Sequence, residues 1–511
     1  MGVNARIAKN TVLLSVRLVL QIIIQLYTVP VVLRALGVSD YGLYSVVCGV
    51  VTMFSFVGMS LASGSQRFIA YSLGLQDEKL LKKTFDTILS IYMIFAIVAV
   101  VCLEVGGLWF LNHKMNIPPG RMSAANVIFQ LSLVSFLADL ITIPFVSTVI
   151  AYEKMNFYAC LGILKCMLQF CVAIVLQFVL QEKLIVYGVL TCMISLIVNG
   201  IYWGYCRSHF KECRRIRLFW DRQTGGELIS YSGWNAIGCL ALISRQQGLN
   251  LLMNLFFGTL VNAAHSISQQ IHGALNQFVN NLYMATRPQI TKYYAVGEIE
   301  KMWELAFRSV KMAFYILSVL AIPLIIEMET VLKVWLGTVP PYTTSIAILL
   351  ILSLLIETQV NQIVAVFQAA NKIRSVQLYS STVLLINIPL TYCVLKWMGG
   401  ECLVPYAISV GVSILYIATI LWQAKAVISL DIKEYVLRIM TRLWIVFIAG
   451  FLAIAFLSRF MEPSLLRMVC TFVCSLIFLP ALIWLVGLER AEKRLCIQFA
   501  ENKFRHYCMK N

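Results

Sequence analysis

Fourteen apolar stretches of membrane length constrain this 511-residue chain more than any other feature of it. They lie near 10–36, 41–63, 84–111, 123–150, 157–181, 183–206, 229–257, 259–286, 304–328, 342–369, 374–398, 402–424, 437–458 and 464–488. About 20 apolar residues in a helix cross the hydrocarbon core of a bilayer, where backbone polar groups must be satisfied within the segment itself. With 60% hydrophobic and 13% charged residues, the chain is expected to be an all-α polytopic membrane protein of about 14 helices, and a soluble domain is excluded. The first stretch is too long and too lightly flanked for a cleaved signal peptide, so it is expected to remain as a span.

Short pieces recur about 220 residues downstream, which predicts a six-helix bundle built twice. Leu36-Gly37, three residues, then Tyr41-Gly42 is answered by Phe257-Gly258, three residues, then Asn262-Ala263, at an offset of 221. Arg67 is answered by Arg287, and Ala151-Tyr152-Glu153-Lys154-Met155 by Ala369-Ala370-Asn371-Lys372-Ile373. Asp139 and Glu357 stand 218 residues apart, each in the middle of its span. Parallel six-helix repeats are an architecture of transporters, whose site lies between the halves. The expected organisation is an N-terminal lobe over 1–206, a basic linker over 207–226 and a C-terminal lobe over 227–424. Two extra spans follow within 425–488, then a tail over 489–511 that is suited to an interfacial helix.

The net charge of +17 needs no nucleic-acid partner. Most of the 41 lysines and arginines fall in the N-terminus, the C-terminus and every second connection, while the intervening connections hold few, Arg34, Lys114 and Arg121 among them. Basic residues are retained on the cytoplasmic side, so both termini are expected there, beside anionic lipid. The linker, with Arg207, Lys211, Arg214, Arg215, Arg217 and Arg222, reads as a solvated cytoplasmic segment. The 15 cysteines show no C-x-x-C pair or metal-ligand spacing and read as small core residues. No connection is long enough for a catalytic domain, and neither a phosphate-binding Gly-rich loop nor a zinc-protease motif occurs, so neither enzymatic activity nor a cofactor is expected.

Three basic residues remain within the spans: Arg17, Lys165 and Arg245. Each costs about 2.5 kcal/mol or more at the bilayer centre. Arg17 and Lys165 lie close enough to predicted helix ends to snorkel to the headgroups, whereas Arg245 is too deep and must face a wet cavity or a carboxylate. Polar residues continue along the same helical faces: Gln21, Gln25 and Thr28 after Arg17, and Gln247, Asn250 and Asn254 beside Arg245. The eighth span carries the longest stripe, Asn262, His265, Gln269, His272, Asn276 and Asn280. Such a stripe either lines a hydrated lumen or forms a dry interhelical hydrogen-bond seam, and the histidines are packing residues or proton carriers. Asp139 and Glu357 are register-fixing acids or coupling residues that exchange partners during transport. Pro144, Pro323 and Pro389 are expected to interrupt their helices.

Asn10-Thr11, the run Arg34-Ala35-Leu36-Gly37-Val38-Ser39-Asp40-Tyr41-Gly42-Leu43-Tyr44, Arg67 after the second span, and Ala151-Tyr152-Glu153-Lys154 together resemble the Wzx-type polysaccharide flippases. These belong to the multidrug/oligosaccharidyl-lipid/polysaccharide exporter superfamily (MOP, which includes the MATE drug exporters). The likeness covers the whole chain in layout. It implies translocation of an undecaprenyl-diphosphate-linked oligosaccharide, such as an O-antigen or capsule repeat unit, across a bacterial inner membrane by alternating access. Polysaccharide polymerase and glycosyltransferase partners are implied with it. The diphosphate would need cavity cations, which Arg17 and Arg245 are suited to supply. A MATE-like exporter of small molecules and a membrane polymerase or ligase are the alternative readings. The second repeat lacks the full Leu-Gly-x-x-x-Tyr-Gly piece, so its corner is not expected to be equivalent to the first.

Overall fold

The computed structural model describes residues 3–489, apart from 76, 153, 181, 215–216, 218 and 371, together with residues 492–493. The side chains of residues 3–19 and of scattered helical residues, Arg67 among them, lie outside that description, as does the tail beyond residue 493.

Every one of the fourteen expected spans is helical. In chain order the helices are α1 (Val3–Thr52), α2 (Ser55–Gly74), α3 (Glu78–Cys102), α4 (Leu108–His113), α5 (Met122–Ala151), α6 (Met155–Phe178), α7 (Lys183–His209), α8 (Arg222–Phe257) and α9 (Thr259–Val296). They continue with α10 (Ile299–Ile326), α11 (Met328–Leu336), α12 (Thr343–Thr358), α13 (Asn361–Ala369), α14 (Ile373–Trp397), α15 (Val404–Ile428), α16 (Ile432–Tyr435), α17 (Thr441–Ser458) and α18 (Leu465–Leu482). Eleven helical stretches among the described residues are long and apolar enough to cross a membrane. The stretches at α8 and α9 are not among them, because their asparagines, glutamines and histidines lower the hydropathy.

The three mid-span prolines do not break their helices. Pro144, Pro323 and Pro389 each sit inside a continuous helix, correcting the expectation from sequence. A proline removes one backbone hydrogen bond, and the rest of the turn is retained here. The first two spans instead join at Gly37, at φ +78° inside α1, and the seventh and eighth join at Gly258, also at φ +78°. That left-handed conformation suits glycine and costs a side chain roughly 1 kcal/mol or more. The two corners therefore share this left-handed φ although their flanking sequences differ.

The chain forms two compact units, one of residues 1–268, 335–346 and 377–408 and the other of 269–334, 347–376 and 409–511. In the first, Leu43, Val47 and Val51 of α1 pack with Ile128, Phe129 and Leu133 of α5, and Phe85 of α3 meets Phe145 of α5 edge-on. The linker is docked rather than freely solvated. Ser90 of α3 donates to the carbonyl of Phe219 (3.1 Å) and accepts from its N–H (3.0 Å), while Lys83 pairs with Asp221 (2.9 Å) and Lys211 with Glu78 (2.7 Å).

In the second unit α10, α17 and α18 pack together through Phe314, Trp444 and Phe447 and through Leu479 over Gly450. An ion-pair cluster closes one end. Glu489 meets Arg438 (2.7 Å), Arg442 (3.1 Å) and Lys311 (3.4 Å), and Lys311 also meets Glu492 (2.7 Å). Hydrogen bonding from Arg438, with the nearby Lys311 charge, lowers the Glu489 carboxyl from its ordinary 4.5 to about 2. Its contribution is therefore complete above the ordinary value and is lost as pH falls from there through about 2. Glu489→Gln should lower the thermal unfolding midpoint in detergent at pH 7 by a few degrees. The deficit should shrink below about pH 4; an equal deficit at pH 3 would contradict the ion-pair account.

Candidate functional site

Polar stripes on three helices converge in the first unit. On α7, Tyr187, Thr191, Ser195 and Asn199 follow at steps of four; on α5, Ser132, Ser135 and Asp139 follow at three and four; on α6, Lys165 and Gln169 are one turn apart. With Tyr44 and Cys48 of α1 and Ser55 and Gly58 of α2, these residues, apart from Asn199, line a cavity of about 550 Å³. Leu140, Ile143 and Ile194 give it an apolar floor. Asp139 accepts at Oδ1 from Ser195 Oγ (2.8 Å) and Asn199 Nδ2 (2.6 Å). Tyr44 donates to Thr191 Oγ1 (3.5 Å), Cys48 Sγ meets Ser132 Oγ (3.1 Å), and the Tyr44 and Tyr187 rings pack edge-on at 4.7 Å. Lys165 lines the same cavity as Asp139, and no ion pair joins them among the described residues. Sequence reasoning considered for Lys165 only its reach to the headgroups and overlooked the α7 stripe. Its period of four was the available signal.

The other acid has a matching partner within the second unit: Ser413 Oγ donates to Glu357 Oε1 (2.6 Å). Serine and carboxylate are 56 residues apart in both repeats. Just beyond Glu357 the helix is interrupted at Gln359 and Val360, between α12 and α13. Two tyrosines cap the loosened turn, Tyr283 donating to the carbonyl of Thr358 (2.6 Å) and Tyr435 to that of Gln359.

A seam joins α1 to α8 and α9 within the first unit. Ser39 meets Thr259 (3.3 Å) and Ser45 meets Ser266, pairs that are themselves repeat-related. A Cβ on Gly42 would lie 2.0 Å from the carbonyl oxygen of Thr259, so only glycine permits this approach. Asn262 donates to Asn250 Oδ1 (2.8 Å) and to its carbonyl (2.6 Å), and Asn254 donates to Asn262 Oδ1 (3.1 Å). Asn254 also exchanges two bonds with the backbone of Asn116 (2.9 and 3.1 Å), and Asn250 donates to the Ser45 carbonyl (3.3 Å). All three asparagines are buried and bonded to protein, and His265 is buried against the Tyr406 hydroxyl (2.8 Å).

The remaining sequence candidates are spread more widely. Gln247 reaches over Gly49 of α1, Gln21 is half-buried and Gln25 exposed. Arg245 is half-buried on α8, three residues before Gly248, which Ile388 covers. The Arg17 side chain lies outside the described residues. In the second unit, Gln269 and Asn276 are half-buried, His272 is buried, and Asn276 accepts from Asn280 (3.2 Å).

No protein-family model matches the chain. Among curated proteins it is similar to EpsK of Bacillus subtilis (strain 168), described as an uncharacterized membrane protein, at 19% identity over 338 residues. That match spans 65% of each chain. Among solved structures it resembles the lipid II flippase MurJ in an inward closed conformation, with a TM-score of 0.68 and 12% identity over 93% of this chain and 99% of that one. It also resembles a multidrug resistance MATE transporter of the MOP superfamily in its inward-facing conformation, with a TM-score of 0.66 and 13% identity over 78% of this chain and 93% of that one. At these identities the likeness shows the fold, which is the one shared by these MOP superfamily transporters.

Proposed function

We propose that the chain is a flippase that carries a lipid-diphosphate-linked oligosaccharide from the cytoplasmic to the outer leaflet of a bacterial inner membrane by alternating access, with both termini cytoplasmic. Coverage is the observation that favours this reading over a small-molecule exporter. The alignment with the flippase takes in 93% of the chain, that with the MATE transporter 78%, and the difference is close to the length of the two extra spans in 425–488. Arg17 and Arg245 are the cations proposed for the diphosphate, through charge-assisted hydrogen bonds. Asp139 and Glu357 are the proposed coupling residues. In the proposed cycle the seam between α1 and α9 parts to release the cargo.

Proteoliposomes containing the purified chain test this with a fluorescent undecaprenyl-diphosphate-linked disaccharide whose leaflet is read by quenching with dithionite. Transbilayer movement should exceed that of empty vesicles, and Arg245→Gln should slow it about tenfold or more, the loss of about 1.4 kcal/mol expected from one charge-assisted bond. Export of ethidium without movement of the lipid-linked glycan would select the exporter reading instead.

A further inference from the structure

Lys165 is unexplained by the proposed path of a diphosphate: it sits on α6, on the wall of the α5–α7 cavity, and makes no hydrogen bond or ion pair among the described residues. A lysine at membrane depth needs water, a carboxylate or a bound anion. Asp139 does not serve as its partner, because both of the acid's hydrogen bonds come from Ser195 and Asn199 at Oδ1. Oδ2 therefore stays available to a ligand. The cavity's 550 Å³ falls within the range of ligand pockets, about 300–1,000 Å³, and exceeds what one hexose fills. Its walls combine what a sugar requires: a carboxylate oxygen for hydroxyl groups, Gln169 and Ser135 as further hydrogen-bonding groups, and the faces and edges of Tyr44 and Tyr187.

We infer that this cavity is a subsite for a carboxylate-bearing sugar, a hexuronic acid or its like, with Lys165 as counter-ion to the sugar carboxylate and Asp139 Oδ2 as acceptor for its hydroxyls. The inference rests on the flippase reading and adds the substrate class: an oligosaccharide containing an acidic residue.

Binding to the full chain in nanodiscs, measured by saturation-transfer NMR, tests it with three probes: methyl β-D-glucuronide, methyl β-D-glucoside and acetate. The glucuronide should bind at least tenfold more tightly than either of the others. Lys165→Met should abolish that preference and Lys165→Arg should retain it, with unchanged thermal midpoints showing that both variants are folded. Equal binding of glucuronide and glucoside, or a preference that survives Lys165→Met, would overturn the assignment. Acetate binding as tightly as the glucuronide would reduce the site to a simple anion site and overturn the sugar subsite. The measurement needs no transport. A chain that prefers the glucuronide yet moves no lipid-linked glycan fails only the flippase reading, and one that moves the glycan without the preference fails only this one.

Discussion

Oxidation of a chain carrying Ser45→Cys and Ser266→Cys should arrest transport completely, and reduction should restore it. The two hydroxyls are in hydrogen-bond contact between α1 and α9, and a disulfide needs Cβ atoms about 4 Å apart, so the bond should form without moving the backbone. Gly42, one turn away, brings α1 against the carbonyl of Thr259, and Ser39 bonds Thr259 beyond it. The covalent link therefore falls within a seam already in contact along nearly two turns of α1. Native Cys48 is also one turn from Ser45, so the pair belongs on a background cleared of the native cysteines. Transport is read with the fluorescent lipid-linked disaccharide and crosslinking by gel mobility. If the crosslink is formed in most molecules and transport continues at the uncrosslinked rate, the seam does not part, and rocking about it is ruled out.

Helix content was legible because hydropathy over 20 residues is a strong signal. Gly37 and Gly258 have the same φ although the residues around them differ. The asparagines of α8 and α9 were legible only as polar positions. A stripe of amides satisfies itself equally well with water or with another helix, and what ties Asn254 is the backbone of Asn116, 138 residues earlier. No local pattern carries that information. The cavity at Lys165 was illegible for a similar reason. The lysine's distance from a helix end says how far the side chain must reach, whereas the cavity it lines is made by α5 and α7.

The carboxylates yield the second large effect. Asp139→Asn and Glu357→Gln should each reduce initial transport at least tenfold while leaving the thermal midpoint nearly unchanged. An amide oxygen still accepts from Ser195 and Asn199 at position 139, and from Ser413 at position 357, so shape and these hydrogen bonds persist while the charge and the exchangeable proton are removed. A residue that only fixes helix register depends on those bonds and tolerates the change. A residue that takes up and releases a proton or cation in each cycle does not. The two sites also differ in setting. Asp139 borders an open cavity with Lys165, whereas Glu357 stands beside a helix interruption capped by Tyr283 and Tyr435. Solution access favours the larger defect for Asp139→Asn, and that defect should be accompanied by loss of the response to an imposed pH or sodium gradient. Full transport in both variants, with the gradient response intact, would make the two acids structural and move the coupling site elsewhere.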